Sequence, residues 1–281
     1  MVTFLLSLMI QQWKDPLVAG VQQFLQRAVQ RHRSLPSQRK LHVECECRLG
    51  SLCGNRQGTS TARLPITTAA AVSTNGHFFF STALSHTTLR HVDTVLRGHV
   101  LVPTSTKSMW VTTSCGTRLT YAIREEKLSS LVSNYRAVFQ QAATKEKVEA
   151  VDVFLPGKGC DFRLVLSEEV PVEWPHEKFK EMTPIMTRLR QRKSVRLRAL
   201  PAFTIELSVV QSVKNHRQFV TRWDTVVKLP RQFPFQEECS VEVEVDLHRL
   251  LCAERRSRSG FEDSAVDLLS LINTLIPPKG T

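Results

Sequence analysis

Glutamate alternates with small or apolar residues in two short segments near opposite ends of the 281-residue chain, Val43-Glu44-Cys45-Glu46-Cys47 and Val241-Glu242-Val243-Glu244-Val245. In an extended strand alternate side chains share a face, so each segment presents two carboxylates on one side and apolar groups on the other. Neighbouring carboxylates repel, and a hard divalent cation held by oxygen ligands removes that repulsion. Two such segments therefore predict a shared divalent metal, with Cys45 and Cys47 serving as small apolar residues on the buried face. The chain as a whole is basic, with 38 Lys and Arg against 26 Asp and Glu and a formal charge of +12. That balance directs it toward a polyanion: nucleic acid, nucleotide or an anionic membrane surface.

Other segments carry polar faces of the same period. Asp161, Arg163, Ser167 and Glu169 share one face of Asp161-Phe-Arg-Leu-Val-Leu-Ser-Glu-Glu169, with Phe162, Leu164 and Leu166 opposite. Arg190, Arg192, Ser194, Arg196 and Arg198 align, as do Arg118, Thr120 and Arg124, and Thr204, Glu206 and Ser208. If the sheet closes, these faces converge into a lumen with carboxylates on some strands and guanidinium groups on others. Such an interior costs on the order of several kcal/mol per uncompensated ion, so it calls for a ligand that answers both charges. A polyphosphate gripped by arginines and bridged to carboxylates by a metal does so, and its chemistry is phosphoryl transfer. No phosphate-binding glycine loop, dinucleotide-binding turn or nucleophile elbow competes with this reading, and the nine histidines show no zinc-ligand spacing.

The elements that must position these groups are mostly strands. The patterns predict strands over 109–113, 117–124, 150–155, 161–170, 190–198, 203–210, 218–228 and 239–246, with 130–146 read as a loop or short helix. Leu17, Val21, Phe24, Leu25 and Val29 mark a helix over 17–30, followed by a basic linker, Arg31 to Lys40, around Pro36. The first acidic strand ends at Gly50, residues 51–75 read as a long loop around Ala69 to Val72, and Phe78 to Ser81 lead to a helix over 84–97. A last helix spans Asp263 to Ile276 and stops at Pro277-Pro278. The expected class is α+β, mainly antiparallel, as a sheet or barrel with helices packed outside. Residues 1–40 are expected to form an N-terminal helix and basic linker packed on a domain over 41–281, a single domain overall. Met1 to Ile10 lacks a basic leader, and no segment reaches the roughly twenty apolar residues a bilayer requires. Seven cysteines, ending with Cys252, show no C-x-x-C spacing, which favours a reducing compartment.

Taken in order, these segments resemble the triphosphate tunnel metalloenzymes, and within them the fungal and protozoan type of mRNA-capping RNA 5′-triphosphatase. Val43 to Gly50 is similar to the opening E-x-E strand with its basic turn, and Ser240 to Asp246 to the closing acidic strand. Phe80-Ser81 with the following helix, Thr117-Arg118-Leu119-Thr120, Glu126-Lys127, Asp161 to Glu169 and Ile205-Glu206-Leu207-Ser208 agree in order between them. The resemblance covers about residues 17–250 and implies a closed eight-stranded tunnel. It implies hydrolysis of the γ-phosphate from the 5′ end of nascent mRNA, the first step of cap formation, with Mg2+ or Mn2+. Glu44, Glu46 and Glu244 are then the metal ligands and Glu242 their support. Arg118, Lys127, Arg163, Arg192 and Arg196 contact the phosphates, with Arg190, Arg198 and Ser208 as further substrate contacts. Glu169, with Glu206, orients or deprotonates water.

The chain departs from the family pattern at Ser240, which stands where a first closing-strand glutamate falls if Glu244 is the last; a shift of two makes Asp246 the last. Glu206 and Ser208 replace Asp and Thr, and either Arg192 or Arg196 fits a phosphate contact. The implied partners are 5′-triphosphate RNA and an mRNA guanylyltransferase, without a membrane, and the implied compartment is the nucleus. Two rival readings are a tunnel hydrolase of a small triphosphate and a non-catalytic module for RNA ends or polyphosphate. The second is opposed by an aromatic content of 7% with no stacking platform on the basic strands.

Overall fold

Period-two alternation organises the computed structural model, which describes residues 15–36, 43–54, 70–72, 78–97, 103–124, 134–175, 177–178, 183–214, 227–228, 236–256 and 259–278. Eight strands close on themselves: β1 (Val43–Gly54), β7 (Asp161–Pro171), β6 (Asn134–Phe154), β5 (Arg118–Arg124), β4 (Thr104–Thr113), β8 (Pro184–Arg196), β9 (Phe203–Lys214) and β11 (Gln236–Val245), which returns to β1. Every neighbouring pair in the ring is antiparallel. Short strands β2 (Ala70–Val72) and β10 (Val227–Lys228) add to β6, and β3 (Phe78–Ser81) adds to β1. Closure removes free edges and turns the inner faces into one lumen.

The outer faces of β1, β7, β9 and β11 supply the main core. Cys47, Leu49, Phe162, Leu164, Ile205 and Val243 are buried there, together with residues of four outer helices: α1 (Asp15–Ser34), α2 (His86–Leu96), α3 (Leu247–Arg256) and α4 (Gly260–Leu275). Helix α1 places Leu17, Val21, Phe24, Leu25 and Ala28 on one buried stripe. Burying side chains such as Phe24 and Leu25 contributes about 1.5–3 kcal/mol each. Helix α2 starts at Ser85, whose Oγ accepts from the Thr88 amide at 3.0 Å, satisfying a first-turn donor. No described helix is long and apolar enough to cross a membrane.

Four features differ from the sequence expectations. Of the segment expected as a loop or short helix over 130–146, residues 130–133 lie outside the described residues and the rest belongs instead to β6, which runs unbroken from Asn134 to Phe154. Its alternation is hidden by a bulge between Lys147 and Glu149, where Val148 is the extra residue. On either side of the bulge the inward positions switch from odd to even numbers, so no single period-two pattern spans the strand. The first acidic strand continues past Gly50 to Gly54, and Leu247–Arg256 forms a helix that was not anticipated. The basic linker starts later than expected, since α1 holds Arg31 and Arg33, which pair with Glu168 and Glu254. Lys127, most of the expected 218–228 strand and residues 1–14 lie outside the described residues.

Gly50 shows how closely β3 is fitted against β1. A Cβ at this position would lie 2.1 Å from the Ser81 carbonyl oxygen and 2.6 Å from the Phe80 ring. A glycine inside a strand where another backbone comes this near has no substitute. Gly50→Ala is expected to destabilise the fold by about 3 kcal/mol or more, read as a lower urea midpoint, because backbone rather than a flexible side-chain tip must give way.

Candidate active site

The inward faces enclose a lumen of about 950 Å³. Glu44, Glu46 and Arg48 reach it from β1, Trp110 from β4 and Arg118 from β5. Lys145 and Lys147 come from β6, Arg163, Ser167 and Glu169 from β7, Arg188, Arg190 and Arg192 from β8, and Ser240, Glu242 and Glu244 from β11. From β9, Glu206 and Ser208 are buried against the β8 arginines. On β1, β7, β9 and β11 most outward neighbours of these residues are core side chains, so hydrophobic burial on one face fixes the direction of charge on the other.

The charged groups are joined in a belt. Arg118 pairs with Glu169, and Lys145 with Glu44 and, at 3.5 Å, with Glu46. Arg48 joins Glu46 at 2.5 Å to Glu242 at 3.7 Å. Arg190 donates to Glu242 at 2.8 Å, to Glu206 at 3.4 Å and to Ser208 Oγ at 2.9 Å. Arg192 donates to Glu206 at 2.7 Å and lies 3.8 Å from Glu244. Arg163 clamps Asp152 with two bonds and lies 4.8 Å from the Phe80 ring centroid, at the end of β7 nearest Asp161. Asp161 faces the backbone instead, accepting from the amides of Leu52 and Leu155.

The electrostatics of the acidic wall are uneven. Burial alone would raise Glu242, but Arg190, Arg48 and Arg192 outweigh it and hold its carboxyl below the ordinary range. Glu244 is pushed up to about 7 by partial withdrawal from water and by the charge of Glu206, with Arg192 countering only in part. About half of its side-chain surface, 49%, stays open to the lumen. Register places it directly opposite Glu46 on β1. Among the described residues no three His, Cys, Asp or Glu side chains converge as ready ion ligands. The donor chemistry nevertheless fits a hard divalent cation: Glu44, Glu46, Glu242 and Glu244 offer only carboxylate oxygens, and Glu244 carries negative charge that the nearby cations leave under-compensated.

A stability consequence follows from the sign of the Glu244 shift. A carboxyl whose folded pKa lies above its ordinary 4.5 binds its proton more tightly in the folded state, so its ionisation weakens the fold as pH rises from 4.5 through about 7. Glu244→Gln is expected to raise the melting temperature of chelator-treated protein at pH 8 and to leave it nearly unchanged at pH 5. Thermal unfolding at the two pH values in EDTA measures this, and equal shifts at both would refute the repulsion.

The structure brings together Glu44, Glu46, Arg118, Glu169, Arg190, Arg192, Glu206, Ser208, Glu242 and Glu244 around one lumen, with Arg163 lining it farther along. Arg196 and Arg198 are exposed and do not line the cavity. Arg48, Trp110, Lys145, Lys147 and Arg188 were not anticipated as site residues. Arg48 could have been found by carrying the Glu44–Glu46 alternation one step further. Lys145 and Lys147 keep the same alternation, but the bulge after them concealed it.

A profile of the family described as "mRNA capping enzyme, beta chain" matches residues 12–275. Among solved structures, the S. pombe Pct1 RNA triphosphatase superposes with a TM-score of 0.62 at 16% identity, covering 93% of this chain and 92% of that one. The same protein in complex with the Spt5 CTD gives a TM-score of 0.64 at 16% identity, covering 92% and 90%. At that identity the likeness establishes the tunnel fold alone. A search of curated protein sequences finds no match. The family match spans nearly the whole chain, and with the tunnel it encloses, the chain belongs to the mRNA-capping RNA triphosphatase family.

Proposed function

We propose that the chain hydrolyses the γ-phosphate of 5′-triphosphate-ended RNA, leaving the diphosphate end required for capping. The observation that carries this is the division of one lumen into a carboxylate wall on β1, β9 and β11 and a cationic wall on β5, β6 and β8. Glu44, Glu46 and Glu244 would hold Mg2+ or Mn2+, with Glu242 supporting them. The bound cation supplies charge neutralisation at a γ-phosphate oxygen. Arg118, Arg190, Arg192 and Lys145 grip the phosphate oxygens and stabilise the charge spread over them in the transition state. The exposed Arg196 and Arg198 would contact the substrate outside this belt.

Glu169 accepts from Arg118 and so is held at a fixed place in the lumen. Its second oxygen orients the attacking water and takes its proton as the new P–O bond forms. The bond between the γ-phosphorus and its bridging oxygen breaks, and the β-phosphate leaves. Ser167 is almost fully buried, lines the lumen, and its Oγ has no hydrogen-bond partner among the described residues. It offers a neutral donor for a phosphate oxygen.

The N-terminal helix and the barrel over 41–281 act as one catalytic unit, since α1 packs against α3 and α4 and its buried stripe joins the barrel's main core. A diphosphate-ended RNA is what a guanylyltransferase consumes, so such an enzyme is the proposed partner and the nucleus the proposed compartment. The deciding experiment compares γ-phosphate release from γ-labelled triphosphate-ended RNA and from ATP, with Mg2+, Mn2+ and neither. Metal-dependent release from RNA supports the reading. Release from ATP alone favours the small-triphosphate hydrolase, and salt-sensitive RNA binding without release favours a binding module.

A further inference from the structure

The ionic belt crosses all eight strands of the barrel, but on β4 the residue that carries it is uncharged. Passing from Glu169 (β7) to Arg118 (β5), the contacts continue through Trp110 (β4) to Arg190 (β8), which shares Glu206 with Arg192 of the same strand. From there they run to Glu206 (β9), Glu242 and Glu244 (β11), Glu46 and Arg48 (β1), and Lys145 (β6). Lys145 and Glu169 then face each other across the β6–β7 rung. The Arg118 guanidinium carbon lies 4.6 Å from the Trp110 ring centroid and that of Arg190 lies 4.9 Å from it. On the same face of β4 the neighbours of Trp110 are Ser108 and Thr112, neither of which can hold a guanidinium by charge.

We infer that Trp110 is a positioning residue for the triphosphatase reaction: its indole holds the Arg118 and Arg190 guanidinium groups in the orientation in which they receive the phosphates. The inference deepens the proposed function and rests on it. Three observations support it. The two cations come from strands on either side of β4 and repel each other; the charge of Arg190, after burial, is among the causes that pull Arg118 below its ordinary value. An aromatic face attracts a guanidinium without neutralising it, so the positive charge stays available to a ligand in a way that a carboxylate partner would not allow. Arg118 Nε is buried and has no hydrogen-bond partner among the described residues, so one donor of this guanidinium is uncommitted although Nη2 is held by Glu169. The indole is itself not free to stack a nucleobase, because cations already lie over it, so its contribution is to geometry and not to base recognition.

The test uses the full chain with triphosphate-ended RNA and either Mg2+ or Mn2+. Trp110→Leu is expected to lower kcat by about 10- to 100-fold with KM changed less than about threefold, since misplaced catalytic groups cost rate more than binding. Trp110→Phe, which keeps a weaker aromatic face, is expected to recover most of the rate. An independent readout is the fluorescence of Trp110 on titration with inorganic tripolyphosphate without metal. The emission change should be present in the natural chain and absent from Trp110→Phe. If Trp110→Leu does not fold, the phenylalanine variant and the fluorescence decide. The inference is overturned if Trp110→Leu keeps kcat within about twofold, if only KM rises, if Trp110→Phe is as slow as a folded Trp110→Leu, or if tripolyphosphate leaves Trp110 emission unchanged. An inactive natural chain would instead overturn the proposed function.

Discussion

Glu46→Gln is expected to lower metal-dependent γ-phosphate release by about 10³-fold, a size typical of losing a centre that stabilises transition-state charge. Glu46 is only 4% exposed, accepts from Arg48 at 2.5 Å and lies 3.5 Å from Lys145. It also stands opposite Glu244 in the β1–β11 register. Glutamine keeps its volume and can still accept from Arg48, but it removes one negative charge from the wall that would hold the cation. Arg48 and Lys145 are then less well compensated, which costs about 1–3 kcal/mol of stability and leaves the barrel folded. Single-turnover release from labelled RNA should show the rate loss, and Mn2+ titration by calorimetry should show weakened binding in the same protein. A folded Glu46→Gln variant with the natural rate and the natural Mn2+ affinity would remove Glu46 from the metal site.

The acidic strands could be read from sequence because their charges follow the strand period without interruption from Glu44 to Glu46 and from Glu242 to Glu244, and because the opposite face is uniformly apolar. The same logic made the arginine-rich strand legible as a face but not as a set of contacts. Which arginine meets which carboxylate depends on register, and register is set by pairing: Arg192 lies opposite Ser208 and Ser194 opposite Glu206. Arg196 has the right parity but sits at the end of β8, exposed, where alternation alone cannot tell lumen from rim. Lys145 was lost for a different physical reason. One extra residue at Val148 moves the inward positions of β6 from Lys145 and Lys147 to Ala150 and Asp152, and another at Gln140 shifts the register again, so a pattern search meets three short runs of alternating parity. Trp110 gave no signal at all, because an aromatic in a strand is ordinarily core and only the closed barrel turns it inward between two guanidinium groups.

Arg190→Met is expected to destabilise the protein by about 3–5 kcal/mol near neutral pH, the usual cost of leaving buried charge without its partner. Arg190 is 5% exposed and donates to Ser208, Glu206 and Glu242, of which Glu206 is itself 3% exposed. Methionine fills much of the volume but supplies no charge, so two carboxylates lose their common cation while Arg48 and Arg192 remain. The effect has a definite pH sign. Glu242 is held below its ordinary range, so in the natural chain it adds stability above the unfolded carboxyl pKa, and that stability is lost as pH falls through its folded value. Without Arg190 the folded pKa of Glu242 rises, and protonation then relieves the strain. The deficit of Arg190→Met should therefore be largest at pH 8 and shrink toward pH 5, measured by denaturant unfolding at each pH. Arg190→Met combined with Glu242→Gln should recover part of the loss at pH 8, because the double change removes the orphaned charge along with its partner. A deficit equal at both pH values, or a double variant no more stable than Arg190→Met alone, would mean that Arg190 acts through packing and not as the counter-ion of the acidic wall.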